Sequence, residues 1–452
     1  MNVHFIAIGG SAMHNLAIAL HKKAYNISGS DDEIFDPAKT RLEKLGLLPA
    51  SMGWFPEKIH DKLDAIILGM HAKADNPELL KAREMGLKIY SYPEYLYEQS
   101  KDKVRVVIGG SHGKTTITAM ILHVLRCSGI ESDYMVGAQL EGFDVMVKLS
   151  ENARFMVIEG DEYLTSALDR RPKFHVYQPD IALISGIAWD HVNVFPTFEN
   201  YLEQFRIFAK MVPEKGSLIY CEEDENVVQV IKSANANVLL FPYKTPDYKI
   251  NRGITSIDVS GKRIELKIFG HHNMQNLEGA RLVCERIGVD KEMFYDAIKS
   301  FSGASKRLEL VSENQTCAVF KDFAHSPSKL KATIQAVKEQ FPERHLIACM
   351  ELHTYSSLSI GFLQEYKHTM DLADTAVIYF SNHALELKRL SSLSTEDVSN
   401  AFERNNLLVF NEKDKLEKFL ISHSWNNTNL LMMSSGNFDG IDLKQLSVDI
   451  LA

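Results

Sequence analysis

The chain has 452 residues, 45% hydrophobic and 24% charged, with a formal net charge of -9. That balance excludes a disordered or collagen-like chain, leaves room for roughly three domains, and argues against a general nucleic-acid binder, which needs cations to meet the phosphates. Five cysteines without a CxxC pair argue against a disulfide framework or a structural zinc site. With no basic leader and no run of 18 apolar residues, a cytoplasmic protein without membrane insertion is expected.

Taken in chain order, the first β-rich run, residues 3–8, enters Gly9-Gly10-Ser11-Ala12-Met13-His14, which reads as a glycine turn opening a helix. Such a turn receives a nucleotide diphosphate at the helix N-terminus. Ala7 and Ala12 stand where a G-x-G-x-x-G pattern has glycines, so a dehydrogenase reading has little support and an ordinary βαβ turn is the alternative. Ser28-Gly29-Ser30-Asp31 follows the next β-run, and residues 65–68 form a third. A charged stretch, Lys101-Asp102-Lys103, precedes a second strand–turn–helix unit with its strand at 104–108 and its helix at 117–125. Buried strands are predicted at 155–158 and 181–184. A small polar stretch, residues 301–306, leads to a third unit with strands at 316–320, 345–349 and 376–379. Strands alternating with helical patterns predict an α/β protein. Three domains are expected, at 1–102, 103–305 and 306–452, each on a mainly parallel sheet flanked by helices.

The most informative stretch is Gly109-Gly110-Ser111-His112-Gly113-Lys114-Thr115-Thr116. Glycines let successive backbone N–H groups curl toward one anion, and the following helix adds its positive end. Lys114 is expected to meet the outer phosphates of ATP and the Thr115 hydroxyl to ligate Mg²⁺. Ile108 replaces the first glycine of the longer phosphate-loop pattern, while G-x-x-G-K-T-T is met. As a loop residue, Lys114 is expected to be solvent-accessible. Glu162, after the strand at 155–158, is an oxygen ligand for the same cation or a solvated loop acid.

The stretch Gly110 to Thr116 resembles the ATP loop of the Mur ligase family, which builds the peptide stem of peptidoglycan. Five further motifs follow in the family's order. Glu159-Gly160-Asp161-Glu162 is similar to E-A-D-E, and Asp190-His191 to the D-H pair. Gly270-His271-His272-Asn273-Met274-Gln275-Asn276 resembles G-x-H-N-x-x-N, Lys306-Arg307-Leu308-Glu309 resembles R-R-x-E, and Lys321-Asp322-Phe323-Ala324-His325-Ser326-Pro327 resembles D-D-Y-A-H-H-P.

The resemblance implies an ATP-dependent ligase of three α/β domains, with ATP and Mg²⁺ as cofactors. It implies Thr115, Glu162 and His191 at the metal, and Lys114, Glu162 and His191 in catalysis. ATP is then held by Gly110, Ser111, His112, Gly113, Lys114, Thr115 and Thr116, with Asn273 and Asn276 at the adenine, Arg307 at the phosphates and Asp322 at the ribose. UDP-N-acetylmuramate is placed on Gly9, Gly10, Ser11, Ala12, Met13, His14, Ser30 and Asp31. The acceptor falls to His325, His353, Thr354, Tyr355 and Ser357. The oligomeric state, monomer or dimer, is left open.

Two branches of the family compete for the acceptor. One adds L-alanine and carries P-H-R-Y-T-R, whose arginines can clamp a free carboxylate. Here the segment reads Leu352-His353-Thr354-Tyr355-Ser356-Ser357. Residues 169–179 resemble the D-x-R-x-K-F-x-x-Y-x-P stretch of the other branch, which joins a whole tripeptide, L-Ala-γ-D-Glu-meso-diaminopimelate. Both features favour the tripeptide, with L-alanine as the alternative.

Overall fold

The computed structural model describes every residue except 71, 139–142, 144, 192–193, 305–306 and 452. Lys306 of the Lys306-Arg307-Leu308-Glu309 motif, and the expected boundary at 305, lie outside the described residues. The chain divides into two compact units. One comprises Met1–Trp189, Val194–Lys244 and Gly279–Phe294; the other comprises Asp190–Asn193, Thr245–Glu278 and Tyr295–Ala452.

The first unit holds two sheets. Strands β1 (Asn2–Ile6), β2 (Asn26–Ser30), β3 (Ala65–Leu68) and β4 (Ile89–Ser91) form an all-parallel sheet in the order β2-β1-β3-β4. The second sheet is built from β5 (Val104–Gly109), β6 (Ser132–Met135), β7 (Val147–Lys148), β8 (Phe155–Glu159), β9 (Ile181–Ile184), β10 (Ser217–Cys221) and β11 (Leu239–Tyr243). Its order is β11-β10-β9-β5-β8-β6-β7, with only β7 antiparallel. The central strands β8 and β9 are buried along their whole length. That is why they read as unbroken apolar runs: a parallel sheet covered on both faces has no wet side to alternate toward.

The second unit also holds two sheets. Strands β12 (Tyr248–Asn251), β13 (Ile254–Val259) and β14 (Lys262–Leu266) form an antiparallel meander that the sequence reading did not include. Its signal was present in two X-Gly pairs, Arg252-Gly253 and Ser260-Gly261. All four residues have positive φ, as a two-residue hairpin turn between right-twisted strands requires. The larger sheet comprises β15 (Glu309–Glu313), β16 (Ala318–Asp322), β17 (His345–Leu352), β18 (Thr375–Phe380), β19 (Leu408–Phe410) and β20 (Thr428–Met433). They run in the order β15-β16-β20-β17-β18-β19, with β15 alone antiparallel.

Helices pack on these sheets as expected, giving three mainly parallel α/β layers. Most predicted strands fall within a residue or two of their positions. The strand expected at 316–320 starts later, at Ala318, because the Asn314 side chain accepts from the backbone N–H groups of Thr316 and Cys317 and holds them in a turn.

Candidate active site

The phosphate loop leaves β5 at Gly109 and ends where Gly113, at φ 80°, opens the helix Lys114–Cys127. Gly110 has φ 133°, and a Cβ there would lie 2.1 Å from the Ser185 hydroxyl, so no other residue fits. The loop is held from several sides. Ser111 N–H donates to the Gly186 carbonyl at 2.9 Å, Ala188 N–H donates to Ser111 Oγ at 3.0 Å, and the Ser185 hydroxyl donates to the His112 carbonyl.

Lys114 is not solvent-accessible as expected from its loop position. It lies in the first helical turn with 14% of its side chain exposed, and its Nζ donates to Glu162 Oε2 and to the Gly110 carbonyl, each at 2.6 Å. Burial opposes the Lys114 ammonium, but the charges of Glu162, Asp161 and Glu159 outweigh it and raise its pKa above the ordinary lysine value. Glu162 is itself 1% exposed, and Tyr201 donates to its other oxygen at 3.2 Å. Thr115 Oγ1 donates to Glu159 Oε1 at 2.8 Å, and Glu159 Oε2 accepts from Gly137 N–H at 2.8 Å. Asp161 is paired with Lys173 at 2.5 Å. The first unit thus brings Lys114, Thr115, Glu159 and Glu162 together. A hydroxyl beside two carboxylates is an oxygen-rich donor set suited to a hard divalent cation.

The glycine turn after β1 is shaped by Asp31, whose Oδ2 accepts from Gly9 N–H at 2.7 Å, while the Ser30 carbonyl accepts from Ala7 and Ile8 N–H. Ser11 opens the following helix; Met13 and His14 are buried within it. His14 Nδ1 bonds the Gly10 carbonyl at 2.9 Å. Burial first, with Asp32 adding, pushes the Asp31 carboxyl up to about 6.

In the second unit, Asn273 and Asn276 lie buried in the helix His271–Ile287, with Asn273 Nδ2 bonded to the Phe269 carbonyl. Asp322 ends β16. Its carboxylate accepts from Leu308 N–H, Ala324 N–H and Thr333 Oγ1, so its own chain already engages both oxygens. Arg307 lies 4.6 Å over the Phe323 ring and its charge acts on Asp322. His191 adopts a left-handed backbone (φ 55°), with its N–H bonded to Asp190 Oδ1 at 2.8 Å. Lys329 stands 3.7 Å from Asp190; it, with His191 and His325, overcomes burial and lowers the Asp190 carboxyl to about 2. Burial first, then Lys329, lowers His325 to about 3.

His353, Thr354, Tyr355 and Ser357 follow β17. Ser357 is fully buried, and Thr354 Oγ1 donates to its hydroxyl at 2.9 Å, so this pair builds a turn while Tyr355 stands exposed. Sequence reading missed Tyr201 and Lys329, and took Lys173 only as part of the 169–179 segment. It also missed Glu351, an acid inside an otherwise apolar strand, which is a legible signal.

The Mur ligase middle domain matches residues 108–284, and a second Mur ligase family domain, described as catalytic, matches residues 2–103. A UDP-N-acetylmuramate–L-alanine ligase from Caldicellulosiruptor saccharolyticus is 32% identical over 415 residues, 88% of each chain. The chain belongs to the Mur ligase family. Its fold is shared with the UDP-N-acetylmuramate–alanine ligase of Thermotoga maritima (TM-score 0.70, 20% identity, 97% of this chain and 96% of that one). It is shared also with a murein peptide ligase of Psychrobacter arcticus (TM-score 0.66, 22% identity, 100% and 98%). As a Mur ligase the chain is an ATP-dependent enzyme of peptidoglycan synthesis that forms an amide bond. Among the described residues no helix is long and apolar enough to cross a membrane.

Lys114→Ala leaves the buried Glu162 carboxylate without its cation, a loss of about 3–5 kcal/mol. We expect urea unfolding to show that loss, and Glu162→Gln added to it to recover most of the stability while ATP turnover stays absent. A Lys114→Ala protein as stable as wild type would contradict the buried pair.

Asp31 gives a pH prediction. Its folded pKa is raised above the unfolded 3.8, so the folded state binds the proton more tightly. Stability from this group therefore falls as pH rises from about 4 to about 6, by about 3 kcal/mol in all. Asp31→Asn keeps an oxygen for Gly9 N–H. It is expected to flatten that slope and to exceed wild type in stability at pH 7; an unchanged slope would assign the pH dependence to another group.

Proposed function

We propose that this Mur ligase joins the tripeptide L-Ala-γ-D-Glu-meso-diaminopimelate to UDP-N-acetylmuramate through an acyl phosphate, in peptidoglycan recycling in the cytoplasm. The domain roles follow the sequence reading: nucleotide sugar on 1–102, ATP on 103–305, acceptor on 306–452. Gly9, Gly10 and Ser11 face the sugar nucleotide's diphosphate, with Asp31 toward the uridine. The loop Gly110 to Thr116 cradles ATP, Asn273 and Asn276 meet the adenine, and Arg307 and Asp322 meet the phosphates and ribose.

Lys114 exchanges Glu162 for the transferring phosphoryl group and offsets its charge, a kind of contact whose removal costs on the order of 10²–10³-fold in rate. Thr115, Glu162 and His191 would hold Mg²⁺, which would supply neutralisation of the charge on the phosphates during phosphoryl transfer. The lactyl carboxylate takes the γ-phosphoryl group, and the amine of the acceptor's L-alanine displaces phosphate to give the amide.

One observation carries the acceptor. In the turn after β17, Thr354 and the buried Ser357, bonded to each other, stand where an alanine-adding relative would present a guanidinium pair. A free carboxylate buried without such a partner is costly, whereas the tripeptide brings a neutral amide at that position. In the 169–179 segment that also points to the peptide branch, Arg171 pairs with Asp169 at 2.6 Å and with Glu94 at 3.2 Å. The second reading, L-alanine as acceptor, is favoured by the name of the 32%-identical relative.

Phosphate release from ATP with UDP-N-acetylmuramate decides between them. We expect kcat/KM for the tripeptide to exceed that for L-alanine by a few orders of magnitude, the discrimination available to a site lacking one required partner. A preference for L-alanine sinks the peptide reading and leaves the family assignment standing.

A further inference from the structure

The proposed reaction needs a group that takes a proton from the acceptor's ammonium before the amine can attack. None of the motif residues supplies it: His191 belongs to the proposed metal site, and burial and Lys329 make His325 too weak a base to take up a proton near pH 7. The carboxyl end of β17 offers another imidazole.

Glu351, the penultimate residue of β17, is 1% exposed. Its carboxylate accepts from the Ser434 hydroxyl and, at 2.9 Å, from Phe438 N–H, both in the segment after β20. The other oxygen, Oε1, faces Nδ1 of His353 at 3.7 Å, and the His353 side chain is 37% exposed. The segment after β20 passes very close: a Cβ on Gly436 would lie 2.8 Å from Glu351 Oε2 and 2.8 Å from the His353 ring. Two adjacent strand ends therefore fix a buried acid behind a half-open imidazole. The gap is longer than a hydrogen bond, and closing it would give a charge-assisted one to an imidazolium. A buried carboxylate behind a histidine holds the ring's orientation and stabilises the imidazolium that forms. Among the described residues, the ionisable groups that act electrostatically with Glu351 include Cys349 on β17 and Tyr379 on β18, and Tyr379 donates to Asp439 after β20 at 2.6 Å.

We propose that His353 is the base that deprotonates the acceptor's α-ammonium, and that Glu351 is its positioning residue. This rests on the acyl-phosphate reading above. One proton passes from the ammonium to the ring. The neutral amine attacks the acyl carbon, the new C–N bond forms as the C–O bond to phosphate breaks, and phosphate leaves with that electron pair and the amine's second proton. The imidazolium returns its proton to solvent.

The two half-reactions separate the claim from its foundation. With UDP-N-acetylmuramate and ATP but no acceptor, hydroxylamine traps the acyl phosphate as a hydroxamate, a step that needs no base for an ammonium. For His353→Gln we expect hydroxamate formation within twofold of wild type and amide formation with the tripeptide slowed by about 10²–10⁴-fold. That loss should shrink as pH rises and the acceptor amine sheds its proton unaided. Glu351→Gln should show a smaller loss with a displaced acidic limb of the kcat/KM profile, which a purely structural role would not move. Amide formation at the wild-type rate in His353→Gln, or an equal loss in both half-reactions, overturns the proposal. A wild-type enzyme that yields no hydroxamate overturns the acyl-phosphate reading and the proposal with it.

Discussion

The buried contact between Lys114 and Glu162 is the constraint on which the first unit's chemistry depends. An ammonium and a carboxylate withdrawn from water are tolerated only as a pair with further hydrogen bonds, and the surroundings supply those bonds: the Gly110 carbonyl on one side, Tyr201 on the other. Holding the pair requires the left-handed turn at Gly113, the empty Cα at Gly110 and the loop that leaves β8 after Glu159 and delivers Glu162. In the proposed function, an incoming polyphosphate replaces Glu162 as the partner of Lys114 and frees the carboxylate for a cation.

The same logic recurs at other strand ends. In each mainly parallel sheet a candidate site residue stands at or just past the carboxyl end of a strand, where helix N-termini and loops converge. Asp31 closes the turn after β1, Asp322 caps β16, and Glu351 stands one residue from the end of β17. All three are buried acids that accept backbone N–H groups. They fix loop geometry first, and any contact with ligand is built on loops they hold.

Much of this was legible in the sequence because it rests on local rules. Unbroken apolar runs marked β8 and β9, and the phosphate loop was recognisable from glycine spacing between a strand and a helix. What escaped was set by tertiary contact. The burial of Lys114 depends on Glu162, 48 residues away, and the engagement of both Asp322 oxygens depends on Leu308 and Thr333. Ser357 looked like a free hydroxyl until its bond with Thr354 was seen. The β12–β14 meander was missed although its X-Gly turns were readable. The engagement of the second Glu351 oxygen needed the chain after β20 to return beside β17.

The central claim is that ATP passes its γ-phosphoryl group to the carboxylate of UDP-N-acetylmuramate before any acceptor is joined. Positional isotope exchange tests it directly: ATP labelled with ¹⁸O at the β,γ-bridge is incubated with enzyme, Mg²⁺ and UDP-N-acetylmuramate, with no acceptor present. The account predicts that the label scrambles into the β-nonbridging positions, and that scrambling stops when the sugar nucleotide is left out. Bridge label that stays in place in the complete mixture, while the enzyme remains competent for ligation, would contradict it.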